Sequence, residues 1–134
     1  MLSNFQTNQL RKFFQSSSQI KLAYIFGSQA QGTSGPLSDY DFAFYLGGAD
    51  KESKQKLFDF KLYLISRLRQ ILKSDKIDVV ILNMVKSPEL AYNIIKEGKL
   101  LFEREPYRLL VEPQILNKYF DFHYLLSKYN LTKA

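Results

Sequence analysis

The chain has 134 residues, 46% of them hydrophobic, a formal net charge of +6 and no cysteine. That length and apolar content suit one domain with its own core and exclude a disordered chain. The missing cysteines exclude disulfides and thiolate metal sites, and fit a cytoplasmic setting.

Residues 3–17 are expected to form a helix with Leu10, Phe13 and Phe14 on one side, ended by Ser16-Ser17-Ser18. The start lacks the basic and apolar regions of a signal peptide, and no apolar run is long enough to span a membrane. Ile20–Phe26 is the first expected strand. A loop with a short helix follows, broken by Gly32, Gly35 and Pro36. Tyr40–Leu46 is the second expected strand, with Asp41, Ala43 and Tyr45 on one face and Phe42, Phe44 and Leu46 on the other. The aromatic face is expected to pack on helices, and Tyr40 to be structural, facing away from the carboxylates.

Gly47-Gly48-Ala49-Asp50 makes a turn, with Asp50 as the expected cap of a core helix over residues 51–73. Leu57, Phe60, Leu64, Leu68 and Leu72 recur along it at helical spacing. Residues 76–83 form a third strand, rich in β-branched side chains. Ser87 and Pro88 open a further helix that runs to Glu97 and stops at Gly98. Lys99–Glu103 is a short fourth strand, and residues from Arg104 onward form one or two helices. The fold class is therefore α/β (α+β): a small mixed sheet of three to four strands flanked by helices. Residues 1–134 are expected to be one domain, with 104–134 as a C-terminal helical segment.

The loop between the first two strands carries the chemistry. Gly27-Ser28 is followed, after ten residues, by Asp39-Tyr40-Asp41. A glycine lets backbone approach a phosphate closely. A serine hydroxyl and backbone N–H groups can then bond its oxygens. Asp39 and Asp41, two apart on a strand, point to the same side. Two parallel carboxylates resist joint ionisation unless a cation lies between them, and magnesium suits such oxygen ligands. The plain alternative is a turn at Gly27-Ser28 and a surface aspartate after Ser38.

Asp78 sits among apolar residues in Ile77-Asp78-Val79-Val80-Ile81. Either it lies at an exposed strand end or beside Lys76, or it joins Asp39 and Asp41. The third case requires the third strand to lie beside the second, and gives a site for two metal ions. The segments GSQAQGTSGPLSDYD and KIDVVIL together resemble the nucleotidyltransferase core of the DNA polymerase β superfamily. With its small size and its tail from Leu101, the chain is most similar to minimal nucleotidyltransferases of the MntA-type antitoxins paired with HEPN ribonuclease toxins.

The resemblance implies a catalytic set of Asp39, Asp41 and Asp78 holding two Mg²⁺ ions. It implies nucleotide binding by Gly27, Ser28, Gln31 and Ser38, ATP as substrate, and a hetero-oligomer with a HEPN toxin. Its implied reaction is transfer of AMP to a tyrosine hydroxyl of that toxin. Gln31 departs from the arginine of many relatives and removes a fixed charge from the phosphate site; Lys21, Lys86 or a partner's arginine are candidate substitutes. The alternatives are a nucleotidyltransferase acting on a small molecule or RNA, and an antitoxin that neutralises by covering its partner.

The positive charge favours acidic partners. The lysines are scattered along the sequence, however, and no nucleic-acid module is visible, so a solvated basic surface is expected rather than direct nucleic-acid binding. His123, the single histidine, argues against histidine-rich metal sites and a Ser-His-Asp hydrolase. Tyr107, Tyr119, Phe120, Phe122, Tyr124 and Tyr129 are expected to divide between core and partner interface.

Overall fold

The computed structural model describes residues 2–27 and 39–129, apart from the side chain of Asp50. Helix α1 spans Asn4–Ser16. The Ser3 hydroxyl accepts from the Gln6 N–H, and the Gln6 side chain accepts from the Ser3 N–H. This reciprocal pair satisfies donors that a helix start otherwise leaves free. Strands β1 (Ile20–Phe26), β2 (Tyr40–Leu46), β3 (Ile77–Ile81) and β4 (Lys99–Glu103) form one sheet in the order β3-β2-β1-β4. β1 is antiparallel to β2 and β4, whereas β2 and β3 are parallel, so the sheet is mixed as expected.

β3 is shorter than the sequence suggested, because the chain tightens into a 3-10 turn at Leu82–Met84. There the Asn83 amide donates to the Leu46 carbonyl and its oxygen accepts from the Leu46 N–H, both at 2.9 Å. Helix α2 spans Lys54–Leu72 and is capped by Ser53, whose hydroxyl accepts from Lys56 N–H. Asp50 is not its cap: Asp50 falls in a separate 3-10 turn, Ala49–Lys51, entered through Gly48 at φ +74°. Helix α3 spans Pro88–Glu97 behind the Ser87 cap. Helix α4 is one helix, Tyr107–Lys128, and runs through Pro113. A proline there takes the hydrogen bond from the Leu109 carbonyl; Leu109 is 78% exposed, so water can replace it.

Strand alternation sorts side chains to the two faces of the sheet. Phe42, Phe44, Val79 and Ile81 pack with Leu10, Phe13 and Phe14 of α1 and with Leu57, Leu64 and Leu68 of α2. Leu22, Tyr24 and Ala43 pack on the other face with Ile94 of α3 and Val111 of α4. The result is a sheet between two helical layers. Tyr40 packs on the α1/α2 side, as expected of a structural residue.

The layers differ in charge. α1 carries Arg11 and Lys12, and α2 carries Lys54, Lys56, Lys61, Arg67 and Arg69 against Asp59 alone. In the other layer, Lys96, Arg108, Lys118 and Lys128 are matched by Glu89, Glu97, Glu112 and Asp121. Charge that looks scattered in sequence is thus gathered on one layer. Among the described residues, no helix is long and apolar enough to cross a membrane.

Candidate active site

The end of β1, the start of β2 and the start of β3 meet at one end of the sheet. Phe26 pairs with Asp41 across the β1–β2 ladder. Gly27 then takes φ +72°, a left-handed conformation that glycine adopts without steric cost. A Cβ at Gly27 would stand 2.6 Å from Asp41 Oδ2. The backbone therefore lies directly against the carboxylate, and any larger residue would displace it.

Asp41 and Asp78 are partners in the parallel β2–β3 register. Pairing of β3 beside β2 is the condition on which the sequence reading of Asp78 depended. Asp41 shares its side of β2 with Ala43, and Asp78 shares its side of β3 with Val80; both companions pack toward α3 and α4. Asp78 is exposed, and its Oδ1 accepts from the Val79 N–H at 2.9 Å. The start of β2 is tied to the approach to β3 by the Tyr40 N–H, which donates to the Lys76 carbonyl at 2.8 Å. Asp39 precedes β2 and is exposed.

Burial raises the Asp41 carboxyl above its ordinary value, and the negative charges of Asp78 and then Asp39 raise it further. Asp78 and Asp39 thus both act electrostatically on Asp41. They do not form a closed cage: among the described residues, no three acidic, histidine or cysteine side chains are grouped as metal ligands. The Val79 N–H holds one Asp78 oxygen along its own strand, and Asp39 stands outside the ladder. The donor chemistry nevertheless fits a hard divalent cation, since oxygen ligands of like charge are stabilised by one. Ser28, Gln31 and Ser38 lie outside the described residues.

The lysines offered from sequence as substitutes for an arginine at position 31 stand elsewhere. Lys21 is near the start of β1, with its ammonium 5.3 Å from the centre of the Tyr107 ring. Lys86 follows the turn that leaves the far end of β3. The sheet instead brings Lys76 and Lys99 to the carboxylate end: Lys76 precedes β3, and Lys99 opens β4 opposite Ile25. The antiparallel β1–β4 register, invisible in the sequence, would have been needed to find Lys99.

The C-terminal aromatics divide between packed and exposed positions. Tyr107 packs on the inner cluster, and Tyr119 stacks on Tyr92 with ring centres 3.7 Å apart. Phe120, Tyr124 and Tyr129 are exposed. His123 is exposed, with its ring 4.3 Å from that of Tyr119 and its Nε2 3.8 Å from Glu89.

Residues 8–107 match the family model for polymerase beta nucleotidyltransferases. No curated protein matches the chain. Among solved structures, it is similar to a chain of a toxin–antitoxin complex with AMP-PNP, at 23% identity over 92% of this chain and 94% of that one, with a TM-score of 0.72. It is similar to a chain of the MntA-HepT toxin–antitoxin complex, at 20% identity over 95% of each chain, with a TM-score of 0.68. A third likeness is to a chain of the tri-AMPylated Shewanella oneidensis HEPN toxin in complex with MNT antitoxin, at 20% identity over 92% of each chain, with a TM-score of 0.66. At such identities the likeness establishes a shared fold.

Proposed function

Since the chain belongs to the polymerase beta nucleotidyltransferase family, we propose that it is the antitoxin of a pair, transferring AMP from ATP to a tyrosine hydroxyl of a HEPN ribonuclease toxin and so silencing it. The observation that carries this reading is the alignment of Asp41 with Asp78 across β2 and β3, with Gly27 pressed against the Asp41 carboxylate. That the acceptor is a HEPN toxin is inferred from one structure of like fold, in which a tri-AMPylated HEPN toxin is in complex with an MNT antitoxin.

In this reading Asp39, Asp41 and Asp78 would hold two Mg²⁺ ions. When bound, the ions neutralise phosphate charge and favour ionisation of the attacking hydroxyl. Gly27, by lacking a side chain, leaves its backbone open to a phosphate while keeping Asp41 in place. Ser28, Gln31 and Ser38 are assigned to the nucleotide, with Gln31 donating a hydrogen bond in place of a charge. The tyrosine oxygen bonds to the α-phosphorus, pyrophosphate leaves with the electrons of the broken P–O bond, and the tyrosine proton passes to solvent. The chain's own contribution is positioning and electrostatics.

The test is the intact mass of the HEPN partner after incubation with the protein, Mg²⁺ and ATP, beside an Asp39→Asn/Asp41→Asn control. A gain of one or more AMP units, absent in the control, is expected. An unchanged mass with a tight complex still formed would replace transfer by simple coverage or by another acceptor.

A further inference from the structure

Helix α2 buries Leu57, Leu64, Leu68 and Leu72 yet leaves large apolar side chains on its outer side. Phe58, Leu62 and Tyr63 are 51%, 49% and 47% exposed. Phe58 and Leu62 are one turn apart, which makes a patch rather than isolated residues. Tyr63 borders this pair on the side of α1. The Tyr63 ring lies 5.7 Å from Phe60 and 6.1 Å from Phe13, and the Arg67 guanidinium lies 5.2 Å over the Phe13 ring. Arg67 also donates to Gln70 at 3.2 Å. Tyrosine and arginine held in place in this way are the side chains that concentrate interface energy.

Charge surrounds the patch. Lys61, Arg67 and Arg69 flank it, and Asp59 is the one acidic residue of α1 and α2 together. A groove of about 700 Å³ adjoins it where α1 begins and α2 ends. Phe5, Arg67 and Lys73 line that groove, with no acidic residue among its walls.

We propose that the outer face of α2 docks an acidic protein partner, with Phe58 and Leu62 as its apolar centre, Tyr63 at its α1 border, and Lys61, Arg67 and Arg69 as its cationic rim. The proposal rests on the reading of a protein partner given above. It extends that reading to the side of the sheet away from Asp41 and Asp78. An apolar centre with a charged rim is the anatomy of a protein interface. A second copy of the chain is disfavoured, because two like-charged layers would repel. A protein is favoured over a nucleic acid because the centre of the patch pairs the Phe58 ring with the aliphatic Leu62, which offers no ring for base stacking.

Affinity for the HEPN partner, measured by titration calorimetry over a range of salt concentrations, tests this. The Lys61→Glu/Arg69→Glu variant is expected to bind ~10- to 100-fold more weakly at low salt and with a flatter salt dependence. Leu62→Glu is expected to lose ~10-fold or more. Lys118→Glu/Lys128→Glu, on the charge-balanced layer, is expected to stay within about twofold of the unaltered protein. Circular dichroism confirms that each variant is folded. A complex of unaltered affinity with both α2 variants overturns the docking face and leaves the partner reading standing. Absence of any complex with the unaltered protein overturns both. Retained affinity for the partner together with salt-sensitive capture of a single-stranded oligonucleotide that the α2 variants lose would assign the face to nucleic acid instead.

Discussion

The two helical layers cover the same sheet and do different work. The α1/α2 layer supplies Phe13, Phe14, Leu64 and Leu68 to the larger buried cluster. The α3/α4 layer supplies Ile94 and Val111, and α4 buries only Val111 along its whole length. Strand β2 separates the two roles residue by residue. Phe42 and Phe44 point into the heavily packed side, while Asp41 shares the lighter side with Ala43. Stability is therefore concentrated on one face and the carboxylates on the other. A change to the carboxylates can alter chemistry without opening the main core.

The largest expected effect tests that division directly. Phe14 is fully buried and contacts the Phe13, Phe44 and Phe102 rings. Phe14→Ala is expected to cost about 3–5 kcal/mol in urea unfolding. For truncations of equal size, Leu64→Ala is expected to cost more than Ile94→Ala in the other layer, with both in the range of about 2–5 kcal/mol. Equal losses would show that the layers share the load.

A smaller effect sharpens the comparison. The lighter layer is joined to the sheet by the buried Tyr24 hydroxyl, which donates to Glu112 Oε2 at 2.5 Å. Arg108 lies 3.2 Å from the same oxygen. Burial, followed by the hydrogen bond and negative charge of Glu112, raises the Tyr24 hydroxyl far above its ordinary value, so it remains a donor across the working pH range. Tyr24→Phe removes the donor but leaves Glu112 paired with Arg108, and is expected to cost about 1–2 kcal/mol. Amide exchange should quicken in α4 and stay unchanged in α1 and α2. Uniform quickening would mean that the layers open together.

Much of this architecture was legible in sequence, and the exceptions have physical causes. β1 and β2 were readable to the residue because β-rich runs end at Gly27 and Gly47. The cap of α2 was misplaced because Asp50 and Ser53 are both good caps, and the intervening 3-10 turn decides between them. The family motif was visible as a string, but the Asp41–Asp78 alignment depended on strand order. Strand order follows from how the helices pack, which no local pattern encodes. The basic layer was hidden for the same reason: α1 and α2 are far apart in sequence and become neighbours only on folding.

The smallest expected effect has the opposite sign and comes from the site itself. Burial, Asp78 and Asp39 raise the Asp41 carboxyl above its ordinary value of 3.8. The folded protein therefore holds that proton more tightly than the unfolded chain does. In the metal-free protein, stability contributed by this group is lost as pH rises from the ordinary value through the raised one. Asparagine carries no charge, so Asp41→Asn removes the penalty. The metal-free variant is expected to melt slightly above the unaltered protein at pH 7, and the two to converge below pH ~4. The same variant is expected to lose nucleotide transfer by roughly 10³-fold or more. A gain in melting temperature beside a loss of transfer would show that Asp41 is kept at the expense of the fold. A loss of both would make Asp41 a structural residue and shift the chemistry elsewhere on the sheet edge.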